Sequence, residues 1–281
     1  MPRLGFGAVT LGREIGEDAS HALLDRAYDL GFRTFDTAES YGGGNSEILL
    51  GKWAHSRRIR ETISIHTKVS ADYSRQGIRN SLDRSLERLQ TEYVDAYYLH
   101  SVPAGLAEAI SALADLRNSG RVGQIGICNA SIATVTEAHK IASLDLCQHI
   151  YNLAQPEQGR ELIPWCNAHD IDFVAYSPIG AGFLTGKYGA RGELAPKGTR
   201  FDIIPGHRDI YFRQECFDAL ERLTAVAAQS GIPQHQLALA WVLRRTDIDI
   251  VLIGATRPEH LETAVSVAQS SINGEILAQL A

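Results

Sequence analysis

The feature that most narrows the folds open to this chain is an alternation repeated eight times. A short apolar run is followed each time by a segment with helical periodicity. The runs are Leu4–Ala8, Arg33–Asp36, Ile63–Lys68, Val94–Leu99, Gln124–Ile127, Leu146–Ile150, Asp172–Tyr176 and Ile250–Ile253. Helices are expected at Ser20–Leu30 (with Ser20 as cap), near Ser46–His55, along the stripe Ile78, Leu82, Leu86 and Leu89, and near Leu106–Asn118. Others are expected at Ile132–Ala142 behind Ser131, around Glu161–His169, at Tyr211–Gln229 and Gln234–Arg244, and from Pro258 to Gln269.

Near-continuous apolar strands separated by amphipathic helices predict a parallel sheet covered by helices. Eight such units in 281 residues predict an α/β fold, a (β/α)8 TIM barrel forming one domain over residues 1–281. The periodicity lapses over Gly189–Asp209, which predicts a long loop insertion between strands 7 and 8. A doubly wound sheet is the competing architecture. The stretch GFGAVTLG does not have the G-x-G-x-x-G spacing such a sheet would need, nor does an acidic residue close a second strand in the ribose-binding context.

Composition enters through what it excludes. Hydrophobic residues make up 44% of the chain, ample for a core, and the net charge of −6 favours neither nucleic acid nor an anionic membrane. No apolar run approaches the ~18–20 residues of a membrane span, and MPRLGFGAVT does not read as a secretory signal, so the expected compartment is the cytoplasm. Cys128, Cys147, Cys166 and Cys216 form no Cys-x-x-Cys pair and are expected as reduced, structural thiols, without a metal.

The chemistry collects at three successive strand exits. Asp36 closes the second strand and leads through Tyr41 into three glycines, Lys68 closes the third, and His100 closes the run VDAYYLH. In a (β/α)8 barrel such residues face the mouth, on strands ~4.8 Å apart. A phenol of pKa ~10 is a poor proton donor or acceptor at neutral pH, and a neighbouring ammonium favours its phenolate. Lys68 can supply that cation, Asp36 can keep it charged, and His100 can donate a hydrogen bond to a carbonyl oxygen within reach of Tyr41. The set suits protonation of an oxygen as hydride reaches its carbon. Singly, each residue also has a structural role open to it: a cap, a turn, an ion pair, a core histidine.

From LGFGAVTLG to VLIGATRPEHLE the chain resembles the aldo-keto reductases, whose Asp, Tyr, Lys and His pattern is matched by Asp36, Tyr41, Lys68 and His100. The resemblance implies a nicotinamide cofactor, NADP with NAD possible, lying across the barrel mouth, and Tyr41 as proton donor. It implies that Asn129 of IGICN and Gln148 of CQHIYN hold the carboxamide, with Cys128 standing where the family usually has serine. In AYSPIGAGFLTGKY it implies that Tyr176 stacks on the nicotinamide. Ser177, Ile179, Gly182, Leu184 and Lys187 then line the loop around the diphosphate. In IGATRPEHLETA it implies that Gly254, Ala255, Thr256, Arg257 and His260 surround the adenosine half at a helix N-terminus, with Arg257 placed for a 2′-phosphate. Thr263-Ala264 stands where NADP-preferring relatives carry Glu-Asn. Val9, Thr10 and Ser101 are expected to shape a substrate pocket for a small carbonyl or alcohol. Two alternatives stand beside a carbonyl reductase: an aldose 1-dehydrogenase working oxidatively, and a cofactor-binding regulatory subunit.

Overall fold

The computed structural model describes residues 3–188 and 195–280. Eight strands, β1 (Arg3–Gly7), β2 (Thr34–Asp36), β3 (Ser64–Val69), β4 (Val94–Leu99), β5 (Val122–Cys128), β6 (Leu146–Ile150), β7 (Asp172–Tyr176) and β8 (Ile250–Gly254), pair in chain order. Every pairing is parallel, and β1 closes the ring on β8, with Gly7 opposite Gly254. This is the (β/α)8 barrel expected from the alternation.

Around it lie α1 (Glu17–Asp29), α2 (Asn45–Arg57), α3 (Arg75–Leu89), α4 (Leu106–Asn118), α5 (Ile132–Ile141) and α6 (Glu157–Ala168). Short α7 (Arg200–Ile203) and α8 (Arg208–Tyr211) precede α9 (Gln214–Ser230) and α10 (Gln234–Leu243), and α11 (Pro258–Gln269) and α12 (Gly274–Ala278) close the chain. The core is two-layered, as burial on both strand faces requires. Ala96, Tyr98, Cys128, Leu146, Val174, Ile250 and Leu252 fill the barrel interior. The larger cluster lies between strands and helices, where Phe35, Trp53, Leu82, Leu113, Phe173 and Leu261 are buried. Gly126 leaves room inside for the Tyr98 ring, because a Cβ there would stand 2.6 Å from it.

Several local expectations are corrected. Helix α1 starts at Glu17 with Gly16 as its cap, and the Ser20 hydroxyl donates back to the Gly16 carbonyl at 2.7 Å from within the helix. Ser131 does cap α5, accepting from the Thr134 amide at 3.3 Å. The expected helix from Tyr211 is broken at Phe212–Arg213, and α12 lacked a periodic signal because it is little more than one turn. Of the expected Gly189–Asp209 loop, residues 189–194 lie outside the described residues. The remainder is largely short helical turns, too brief to show a 3.6-residue period, pinned by the buried rings of Phe201 and Tyr211 against Phe183.

Candidate active site

The exits of β2, β3 and β4 converge as the sequence predicted, with two changes of detail. Lys68 is the penultimate residue of β3, and His100 follows β4 directly. Asp36 ends β2, and Tyr41 opens a short kinked turn, Tyr41–Gly44, in which Gly42, Gly43 and Gly44 all take positive φ (58°, 64° and 96°). Three successive left-handed residues are strained for anything but glycine, and they swing the chain from Tyr41 into α2 within one turn.

At the centre is a buried ion pair. The Lys68 ammonium is fully buried and donates to Asp36 Oδ1 at 2.5 Å and to the Thr37 carbonyl at 2.7 Å. Burial alone would push the ammonium toward deprotonation. The Asp36 carboxylate and its hydrogen bond, together with Tyr41 and Cys128 beside the ammonium, outweigh that burial, so Lys68 stays charged beyond the usual lysine range. Its Nζ lies 5.1 Å from the Tyr41 ring centre, and that ring meets His100 edge-on at 5.6 Å. Burial raises the Tyr41 phenol, partly offset by Lys68, so the phenol is firmly protonated at rest. His100 moves the other way, pushed down to about 4 by burial and then by the Lys68 charge, and is a neutral imidazole at pH 7.

The β5 and β6 exits join this unit. Gln148 donates from Nε2 to Asp36 Oδ2 at 2.8 Å, and the Cys128 thiol faces its Oε1 at 3.8 Å. Both are buried, so the expected carboxamide partner Gln148 is here a neighbour of the ion pair, and burial keeps the Cys128 thiol protonated. Asn129, at φ 57°, donates to the His100 carbonyl at 3.3 Å and accepts from the Tyr176 hydroxyl at 2.8 Å. One amide hydrogen and one acceptor site of Asn129 remain, the complement of a carboxamide.

The remaining predicted residues lie around the β7 and β8 exits. The Ser177 carbonyl accepts from Asn152 at 2.9 Å, and Leu184 is wholly buried beneath this turn. Ile179 is half-buried at the start of the turn containing Gly182, whose φ is 91°. A Cβ at Gly182 would stand 3.1 Å from Lys187 Nζ, so the lysine folds over this turn, and burial lowers its pKa. At the other exit Gly254 ends β8, the Thr256 amide approaches His260 Nδ1 at 3.5 Å, and Arg257 Nη2 lies 3.3 Å from His260 Nε2. The expected pocket hydroxyls are both engaged. Thr10 donates to the Ala255 carbonyl at 2.7 Å, and Ser101 pairs with the Tyr73 hydroxyl at 2.7 Å.

A match to the model of the Aldo/keto reductase family covers residues 3–280. The chain belongs to the aldo/keto reductase family. Among its curated relatives, the NADH-specific methylglyoxal reductase of Escherichia coli is 29% identical, covering 97% of this chain and 91% of that protein. A putative voltage-gated potassium channel subunit beta of Schizosaccharomyces pombe is 30% identical, covering 98% of this chain and 87% of that protein. Among solved structures, a thermostable aldo-keto reductase in complex with the inhibitor epalrestat superposes with a TM-score of 0.78 at 27% identity, covering all of this chain and 94% of that one. NAD(P)-dependent reduction of small carbonyl compounds is generic to the family, and this chain is an oxidoreductase. Among the described residues no cluster of ligating side chains suits a metal, and no helix is long and apolar enough to cross a membrane.

The residues present fit a nicotinamide cofactor across the aldo/keto reductase mouth. Asn129 has a donor and an acceptor to spare, Tyr176 offers a half-buried ring, and Lys187 offers a desolvated cation over a glycine turn. Sequence reasoning missed the groups that brace this site. Glu47 is wholly buried and accepts from Thr67 at 2.5 Å and Arg88 at 2.6 Å, one residue from Lys68. Glu39 accepts from the amides of Ser70 and Ala71 at 2.5 and 3.2 Å. Inside the barrel His66, pushed down to about 3 by burial, pairs with the Tyr98 hydroxyl at 3.0 Å. A glutamate in a helical first turn reads as a surface residue, so for Glu47 no usable signal existed.

Proposed function

We propose that this chain reduces an aldehyde, ketone or aldose carbonyl at the mouth formed by Asp36, Tyr41, Lys68 and His100, with NADP as the preferred cofactor. The observation that carries this reading is the buried Lys68–Asp36 pair lying beneath a phenol that meets a neutral histidine edge-on. The cofactor supplies the hydride. Tyr41, kept protonated by burial, donates its proton to the carbonyl oxygen as negative charge develops there. The Lys68 charge stabilises the phenolate left behind, and Asp36 keeps that charge in place. His100, neutral, orients the carbonyl by a hydrogen bond from its Nε2. Asn129 and Gln148 are assigned to the carboxamide, Tyr176 to the nicotinamide face, and Ser177, Ile179, Gly182, Leu184 and Lys187 to the diphosphate. Gly254, Thr256, Arg257 and His260 receive the adenosine half, with Arg257 reading the 2′-phosphate.

Tyr41→Phe tests the assignment of the donor. Turnover of any carbonyl the wild type accepts should fall by about 10²–10⁴-fold, the usual contribution of a positioned acid. Cofactor affinity should stay within a few-fold. Near-normal turnover in the variant would remove Tyr41 from the role. A second reading is favoured by the relative named as a channel subunit: a cofactor-binding partner with little turnover. Stable capture of a partner together with negligible rates across aldehydes, ketones and sugars supports it over the reductase.

A further inference from the structure

A histidine that donates from Nε2 must keep its single ring proton there, because a neutral imidazole carries only one N–H. Whatever faces Nδ1 therefore decides whether His100 can donate to a carbonyl. In this fold the group facing it comes from the exit of β3. Ser70 Oγ lies 2.7 Å from His100 Nδ1, with Ser40 Oγ further off at 3.4 Å. Ser70 can also donate to Ser40 Oγ at 3.1 Å, so its one proton has two possible destinations. Given to Nδ1, it leaves the ring proton on Nε2. Given to Ser40, it obliges Nδ1 to carry the ring proton, and Nε2 becomes an acceptor.

We propose that Ser70 is a positioning residue that donates to His100 Nδ1 and so fixes the tautomer able to hydrogen-bond a substrate carbonyl; this rests on the reductase reading of His100. The geometry favours that destination. The contact to Nδ1, at 2.7 Å against 3.1 Å to Ser40, is also shorter than the ~2.9–3.0 Å usual when a nitrogen donates to oxygen, and an imidazole nitrogen is more basic than a hydroxyl oxygen. The backbone that carries Ser70 is held in place. Its amide donates to Glu39 Oε1 at 2.5 Å, the Ala71 amide reaches the same oxygen at 3.2 Å, and the Glu39 amide returns to the Lys68 carbonyl at 3.3 Å. The His100 amide donates to the Val69 carbonyl at 3.0 Å, which fixes the imidazole's backbone beside the serine. The tautomer of the orienting histidine is thus set from the exit of the strand that presents Lys68.

The test is nitrogen NMR of the full chain, labelled in histidine, at pH 7 and without cofactor or substrate. The His100 signals are assigned by their loss in His100→Gln. The wild type should show a protonated Nε2 and a bare Nδ1. Ser70→Ala should shift His100 toward a mixture of tautomers and lower kcat by about ten-fold or more with cofactor affinity unchanged. Ser70→Thr, which keeps the hydroxyl, should restore both. A wild-type spectrum with the proton on Nδ1, or an unchanged tautomer in Ser70→Ala, would overturn the proposal. The wild-type spectrum decides the tautomer even if Ser70→Ala fails to fold. Because it is read without turnover, a protein with the predicted tautomer but no reductase activity would break the functional reading and leave the Ser70 assignment standing.

Discussion

The two sides of the barrel mouth are built differently. On the β2–β4 side, Asp36, Lys68, Tyr41 and His100 are buried or half-buried and linked through contacts as short as 2.5 Å, with Glu39, Glu47 and Ser70 bracing them from behind. On the β8 side, Thr256 and Arg257 are exposed, and their contacts to His260 stretch to 3.5 and 3.3 Å. The first arrangement is fixed before any ligand arrives, as stabilisation of developing charge requires. The second keeps its donors only loosely engaged, as suits groups that must exchange one partner for a phosphate. One side spends its polar groups on each other, and the other holds them ready for a ligand.

The sharpest way to break this contrast is to damage the fixed side and compare stability with activity. Lys68→Met should abolish turnover and cost about 3–5 kcal/mol of stability, because it strands Asp36 as a buried, uncompensated carboxylate. Adding Asp36→Leu should recover much of that stability in denaturant titrations without recovering turnover. A Lys68→Met protein as stable as wild type would show that the pair is not the fixed element described here.

Acid should probe the buried rings of the barrel more gently. His66 and His100 are held down to about 3 and about 4 by burial, against about 6.5 in an unfolded chain. Between roughly pH 6.5 and 4 the unfolded chain therefore binds protons that the folded chain refuses, so stability falls as pH falls through this window. Denaturation midpoints measured from pH 7 to 4.5 should decline, and less steeply in His66→Gln. A flat profile would contradict the burial of these rings.

The smallest effect is expected on the open side. Arg257→Ala should weaken NADPH binding by about ten-fold, the value of one exposed charge-assisted contact of ~1.4 kcal/mol. NADH binding and stability should stay nearly unchanged. Equal weakening for both cofactors would mean that Arg257 does not read the 2′-phosphate.

How much of this was legible in the sequence follows the same division. The barrel was readable because eight strand–helix units carry their own periodicity, and the convergence of Asp36, Tyr41, Lys68 and His100 was readable because unusual side chains stand at or just beyond the ends of three consecutive strands. What stood behind them was not. Glu47, Glu39 and Ser70 look like ordinary helix-start and loop residues, and only the folding of one strand exit against the next gives them partners. The Thr10 and Ser101 hydroxyls likewise find partners, the Ala255 carbonyl and the Tyr73 hydroxyl, that no sequence spacing announces. The stretch after β7 showed no period because its helices are single turns held by aromatic packing, which leaves no repeat to detect.

The most direct test of the central claim is calorimetric titration of the purified protein with NADPH and with NADH, followed by a carbonyl panel using whichever binds. The account predicts one cofactor bound per chain at micromolar affinity, with NADPH the tighter, and reduction of at least one aldehyde or ketone that is lost in Tyr41→Phe. A well-folded protein that binds neither nucleotide would contradict the account at its first step.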